Sequence, residues 1–433
     1  MSKFKLTALA ALCVTSFASN AEKIAIVGGT VHTMSEQGTV DNATVLIDDG
    51  RIQAVGSDIT TDGYRVIDAN GKVVTPGFIG AYTSLGLVEV SSWANTVDST
   101  VENSHYQASL DVSYAVSPDT TLRNISRIEG ITSAATSMAY TDTLFKGLGA
   151  MITLGDNETP VTKRRAFMTI DISNSGADKT AGSRASLWMQ VRDAFAEAVF
   201  AQGMKFSPKS DWYGVNLTPV TDWHGTLSKS DVRALMPVVN GNVPLLIVAH
   251  RAADIRQVLA LLQDYPRLNI TLVGASEAWR VADELAAAGI EVIINPESNL
   301  PYAFEQNGAT LENAARLHAA GVKVAVGMDT HNIRLAPQQA GNAVANGLPY
   351  AAGLAALTTV PAQIYGMDEQ IGALKAGMQA DVVVWSGDPL EVMEAPTHVI
   401  INGVEVPLES RQTKLRDRYL TLDSEKPKQY TRP

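Results

Sequence analysis

Val243-Pro244-Leu245-Leu246-Ile247-Val248-Ala249-His250, Asn269-Ile270-Thr271-Leu272-Val273, Glu291-Val292-Ile293-Ile294-Asn295 and Val322-Lys323-Val324-Ala325-Val326 are four short apolar runs beginning 26, 22 and 31 residues apart. A helical pattern fills the intervals. In Ala252 to Tyr265, apolar Ile255, Val258, Leu259 and Leu262 fall at i, i+3, i+4 and i+7. Trp279, Ala282, Leu285 and Ala286 repeat that spacing before Gly289, a residue suited to ending a helix. Strand and helix units at this pitch imply parallel strands joined by crossover helices, either a doubly wound sheet or a barrel. The distance from Pro76 to about Gly366, roughly 290 residues, suits a barrel of about 250 residues with insertions. No Gly-rich phosphate loop follows a strand, so no nucleotide cofactor is expected. The reading is an α/β chain with a (β/α)8 TIM barrel over 76–371.

Outside that span the texture is different. From Lys23 to Val74, β-rich runs are broken by Gly28-Gly29 and Asp48-Asp49-Gly50-Arg51, which are hairpin signals. Ala380 to Trp385, Thr397 to Ile401 and Asn402 to Val406 repeat the texture. A small β-sandwich-like domain built from both chain ends, 22–75 and 372–410, is the economical inference. Segments 91–122 and 171–184 read as irregular insertions, which in a barrel shape access to the active face. Residues 411–433 form a charged tail.

Composition narrows the partners. The 433 residues are 45% hydrophobic and 18% charged with a net charge of −11, which excludes a disordered chain and disfavours nucleic acid. At the amino end Lys3 and Lys5 precede the apolar Leu6 to Phe17 and the small-residue run Ala18 to Ala21. Residues 1–21 thus read as a cleaved secretory signal, too short to span a bilayer of ~30 Å. The expected location is the periplasm in a Gram-negative bacterium and outside the cell otherwise, with no stable membrane anchor. The single cysteine, Cys13, leaves with the signal, so metal chemistry must rest on His, Asp, Glu or a modified Lys.

Functional groups of a barrel gather where its strands end. There the sequence offers His250, Gly274, Asn295 and Asp329. An imidazole and a carboxylate facing each other across a barrel mouth can hold a divalent ion or serve structure alone.

Thr75-Pro76-Gly77-Phe78-Ile79-Gly80-Ala81-Tyr82-Thr83-Ser84 and Gly372-Ala373-Leu374-Lys375-Ala376-Gly377-Met378-Gln379-Ala380-Asp381 resemble the first barrel strand and the closing β-domain of the amidohydrolase superfamily, nearest to imidazolonepropionase-related members. The resemblance implies hydrolysis of non-peptide or cyclic-amide C–N bonds in a small-molecule substrate. It also implies one divalent metal ion of the zinc type, with His250 and Asp329 at two of the family's ligand positions. Asp329 would be general base, with His331 and Tyr82 as further catalytic residues. The family's paired histidines are replaced by Tyr82 and Ser84, and its sixth-strand His by Gly274.

Those departures open an alternative, a degenerate binding or partner subunit without metal, in a homo- or hetero-oligomer. A third is metal-free acid–base chemistry by Asp329 and His331. His331 can ligate, hold the Asp329 carboxylate, or hydrogen-bond in a loop. Lys163, beside Arg164 and Arg165, reads as part of a solvated basic turn rather than a bridging lysine. His32, His318 and His398 read as structural, whereas His105 and His224 lie in insertions that can reach substrate. Glu277 and Arg280 open a helix after the sixth strand.

Overall fold

A computed structural model describes residues 22–90, 93–204 and 223–420; the side chains of Ala94 and Asp329 are not among those described. The proposed signal at 1–21 and the end of the tail, 421–433, lie outside the described residues.

Eight strands close the barrel in chain order: Phe78–Thr83, Ile131–Thr136, Phe145–Thr153, Val161–Asp171, Leu245–Ala249, Ile270–Gly274, Glu291–Ile294, and an eighth interrupted strand, Val324–Val326 with Met328–Thr330. The eighth pairs back onto the first, Met328 opposite Tyr82 and Thr330 opposite Thr83. The fourth to eighth strands are parallel, as the pitch of the apolar runs requires. The third strand departs from the expected repeat: it is antiparallel to both neighbours. No crossover helix is needed there, because short connections join the second, third and fourth strands as a meander.

The predicted helices form where the pattern placed them. Ala252–Asp264 buries Ile255, Val258 and Leu261 against the outer wall. Ala278–Val281 begins as a 3-10 turn, continues as the α-helix Ala282–Ala288, and stops at Gly289, whose φ of 67° is strained for any residue with a Cβ. Inside the barrel, Ile79, Phe167, Leu246, Val273, Ile293 and Ala325 form one apolar cluster. Tyr365, wholly buried, joins it, stacks 5.0 Å from the Phe167 ring and donates its hydroxyl to the Ala81 carbonyl. Lys163 does not lie in a solvated turn. It sits in the fourth strand with its ammonium donating to the Tyr365 carbonyl at 2.6 Å, so it cannot bridge metals at a strand's carboxyl end.

The chain ends form one eight-stranded sheet. Its order is Val404–Val406, Pro396–Ile401, Val382–Trp385, Val73–Pro76, Ile24–His32, Thr39–Asp48 and Arg51–Gly56, with Arg65–Asp68 also paired to Ile24–His32. Asp49 and Gly50 both have positive φ, 50° and 71°, as the two-residue hairpin requires. Ile26, Val45, Ile67, Val382 and Ile400 share its core. The tail begins as the helix Arg411–Tyr419, capped reciprocally by Ser410 and Thr413 and burying none of its residues.

Candidate functional site

The first strand carries a bulge before its end. Pairing with the second strand shifts between Gly80 and Thr83, and pairing with the eighth shifts between Met328 and Thr330. A bulge lets consecutive residues share a face, and Ala81 and Tyr82 both join the interior cluster. Tyr82 is 4% exposed, and its buried hydroxyl has no hydrogen-bond partner among the described residues. Ser84 is buried, its amide donating to the Thr330 carbonyl at 3.1 Å. Backbone pairing therefore holds Tyr82 and Ser84 beside the strand that carries Asp329.

Across the mouth, His250 follows the fifth strand. Its Nδ1 lies 3.0 Å from Ser276 Oγ and 3.4 Å from Gln306 Nε2. Gly274 ends the sixth strand directly beside it, since Ala249 and Gly274 are register partners. Gly274 has φ +87°, and a Cβ there would stand 2.5 Å from His250 Cε1. The imidazole thus occupies the space that a side chain at 274 would need. Asp329 lies in the eighth strand by its backbone, but its side chain is outside the described residues. His331 is partly buried just beyond.

Two further hydroxyls, Ser137 Oγ and Thr169 Oγ1, are buried without partners among the described residues. Thr169 stands two positions beyond interior Phe167 in the fourth strand, so the strand period turns it inward, and Ser137 directly follows the end of the second strand. Between their strands the third strand carries Gly147 and Gly149. A Cβ at Gly149 would stand 2.0 Å from the Phe167 ring, so that glycine makes room for the aromatic. One side of the upper interior is therefore built from small residues and unsatisfied hydroxyls, each a buried donor costing about 1–3 kcal/mol until it finds an acceptor.

Sequence reasoning missed the ion-pair girdle around the mouth. Buried Asp254 accepts from Arg184 Nε at 2.9 and 3.0 Å and from Arg251 at 2.7 and 2.8 Å. Arg184 also reaches Asn174 and Glu305, each at 2.9 Å. This network ties the segments following the fourth, fifth and seventh strands; its only sequence trace was an acidic residue in the first turn after His250. Glu277 is committed to structure as well, its oxygens accepting from the amides of Ala252 at 3.1 Å and Gly308 at 2.9 Å. His32 bonds Thr39 at 2.9 Å within the small sheet, and burial lowers its pKa against the pull of Asp388 and Asp41.

The donors described do not fit the metal centre that the resemblance implies. Among the described residues no group of three His, Cys, Asp or Glu side chains converges to hold an ion. Gly274 supplies no donor and Ser84 only a neutral hydroxyl, so two of the positions where the resemblance implies imidazoles hold no good ligand.

Comparison with known proteins agrees with this architecture. Residues 256–406 match the amidohydrolase family model. An amidohydrolase from Thermotoga maritima has the same fold at TM-score 0.75, with 23% identity over 89% of this chain and 99% of that one. Molinate hydrolase follows at TM-score 0.54, with 19% identity over 90% and 95% of the two chains. Among curated relatives, the amidohydrolase tasK of Hapsidospora irregularis is 54% identical over 57 residues. A dihydroorotase of Bacillus thuringiensis is 38% identical over 52 residues. The stretches matched cover 13% and 12% of this chain and only 6% and 12% of the length of those relatives. The chain therefore shares the fold of these solved structures, and its residues 256–406, which include Asp329 and His331, match the amidohydrolase family model.

Proposed function

We propose that the chain is an amidohydrolase-like hydrolase that cleaves a non-peptide or cyclic-amide C–N bond in a small carbonyl-containing molecule at the carboxyl end of the barrel. The observation that carries this reading is the buried Tyr82 hydroxyl, which has no acceptor among the described residues and stands beside the Asp329 strand. A substrate carbonyl supplies that acceptor. Tyr82 then donates to the carbonyl oxygen and withdraws charge from the carbon. Asp329 takes a proton from the attacking water and returns it to the leaving nitrogen, with His331 positioning the carboxylate. The donors among the described residues give no basis for routing a step through a metal ion.

A second reading is favoured by a specific observation. The His250 ring over Gly274, fixed by Ser276, turns two family ligand positions into a packed wall. This suits a binding subunit that has lost catalysis.

One experiment separates the two. The purified protein is assayed against N-acyl amino acids and five- and six-membered cyclic amides, with metal content measured on the same samples. The hydrolase reading expects turnover that falls at least 1,000-fold in Asp329→Asn and about 10- to 100-fold in Tyr82→Phe. Saturable binding of those amides without turnover decides for the binding subunit. A stoichiometric divalent ion lost in His250→Ala overturns the metal-free mechanism.

A further inference from the structure

A cavity is formed by residues separate from the mouth set. It holds about 300 Å³ and is lined by Tyr106, Ser109, Leu148, Arg165, Ser230 and Arg233. For a chain of net charge −11 its lining is unusual, because two guanidiniums line it and no acidic side chain does, Asp111 behind Arg165 excepted.

The two arginines are presented differently. Arg165 adopts φ +50°, in the left-handed region that a residue with a Cβ enters at a cost. The pairing of the third and fourth strands is irregular at that point, between the Gly149–Phe167 and Met151–Lys163 partners. The Arg165 Nε donates to Asp111 Oδ2 at 2.9 Å, which fixes the stem and leaves the two terminal nitrogens without a partner among the described residues. Asp111 is 5% exposed and also accepts from the Ser113 amide and hydroxyl, so it is a fixed anchor. Arg233, on the helix Lys229–Val239, has no ion-pair or hydrogen-bond partner among the described residues.

The wall between them is rigid. Wholly buried Asp231 accepts from the amides of Gln107 and Ser109 and from the hydroxyls of Ser109 and Ser228, clamping the Tyr106–Ser109 segment to the start of that helix. Ser230, in the first helical turn, adds a hydroxyl. Tyr106, 58% exposed, offers apolar surface for a flat body, above the nearly buried Leu148.

Guanidinium forks match a carboxylate in plane and charge. The volume lies at the lower end of that of small-molecule pockets. We propose that this cavity binds a small organic carboxylate with a flat apolar body, its carboxylate between Arg165 and Arg233 and its body against Tyr106 and Leu148. The proposal stands apart from the hydrolase reading.

The test is a ¹⁹F NMR titration of the full chain with 4-fluorobenzoate at low ionic strength, with inorganic phosphate as a second probe. Saturable binding is expected, weakened at least fivefold in Arg233→Gln and in Arg165→Gln and weakened again by 0.5 M salt, about where screening becomes short-ranged. Arg165→Gln removes a support of Asp111, so circular dichroism checks its fold; Arg233→Gln, at an exposed residue without a partner among those described, decides the matter alone if that fold is lost. Absence of saturation, or Arg233→Gln binding as well as the parent, overturns the proposal. Phosphate binding as tightly as 4-fluorobenzoate and displacing it overturns the assigned ligand class.

Discussion

Replacing Gly274 with alanine tests whether the mouth is built around the contact between His250 and an absent side chain. The new Cβ would stand 2.5 Å from His250 Cε1 and 3.1 Å from Nδ1, and the backbone would hold alanine at φ +87°. Left-handed backbone costs a residue with a Cβ about 1–2 kcal/mol. Relief of the overlap falls to the imidazole, which swings away and gives up its bond to Ser276, worth about 1 kcal/mol. The expected loss is therefore about 2–3 kcal/mol in urea unfolding. A cycle with Ser276→Ala separates the two contributions. In that background the hydrogen bond to Ser276 is already gone, so the added cost of Gly274→Ala drops to about 1–2 kcal/mol. A cost for Gly274→Ala within about 0.5 kcal/mol of zero, in the range of neutral surface substitutions, refutes the reasoning. So would full additivity of the two substitutions.

Asp254→Ala leaves Arg184 and Arg251 without their shared carboxylate at a buried site, and is expected to destabilise by about 3 kcal/mol in the same unfolding assay and to increase proteolysis after the fourth and seventh strands; unchanged stability removes the girdle as a support. His32 and His398 have pKa values lowered mainly by burial, opposed by nearby carboxylates. The unfolded imidazoles therefore take up protons first as pH falls. The stability they permit is complete above the unfolded value, about 6.5, and declines as pH drops through it towards the folded values. The melting temperature should fall from pH 7.5 to 5.5, with a shallower slope in His32→Gln; an equal slope in that variant removes His32 from the account.

Much of the architecture could be read without coordinates because its causes are local. The fifth to eighth strands announce themselves as apolar runs at a crossover pitch, and Gly289 and Asp49-Gly50 mark a helix end and a hairpin by the backbone angles they tolerate. The antiparallel third strand was not legible. Direction depends on which neighbours accept its hydrogen bonds, and Phe145 to Thr153 carries the same apolar texture either way. Lys163 was misplaced for a related reason: adjacent arginines suggest solvent, while strand pairing carries the ammonium to the Tyr365 carbonyl, 202 residues away in sequence.

At the mouth the division is sharper. The sequence shows Tyr82, Ser84 and Gly274 where the resemblance to amidohydrolases implies histidines. What takes the vacated space is a matter of register. Ala249 pairs with Gly274, and that pairing lays the His250 ring over the glycine within reach of Ser276. The bulge near Ala81 likewise turns the Tyr82 hydroxyl into the interior without an acceptor among the described residues. Sequence fixes which chemical groups exist and which backbone angles they allow. The contacts that make an imidazole structural, or leave a phenol unsatisfied, arise only when strands distant in sequence settle into one register.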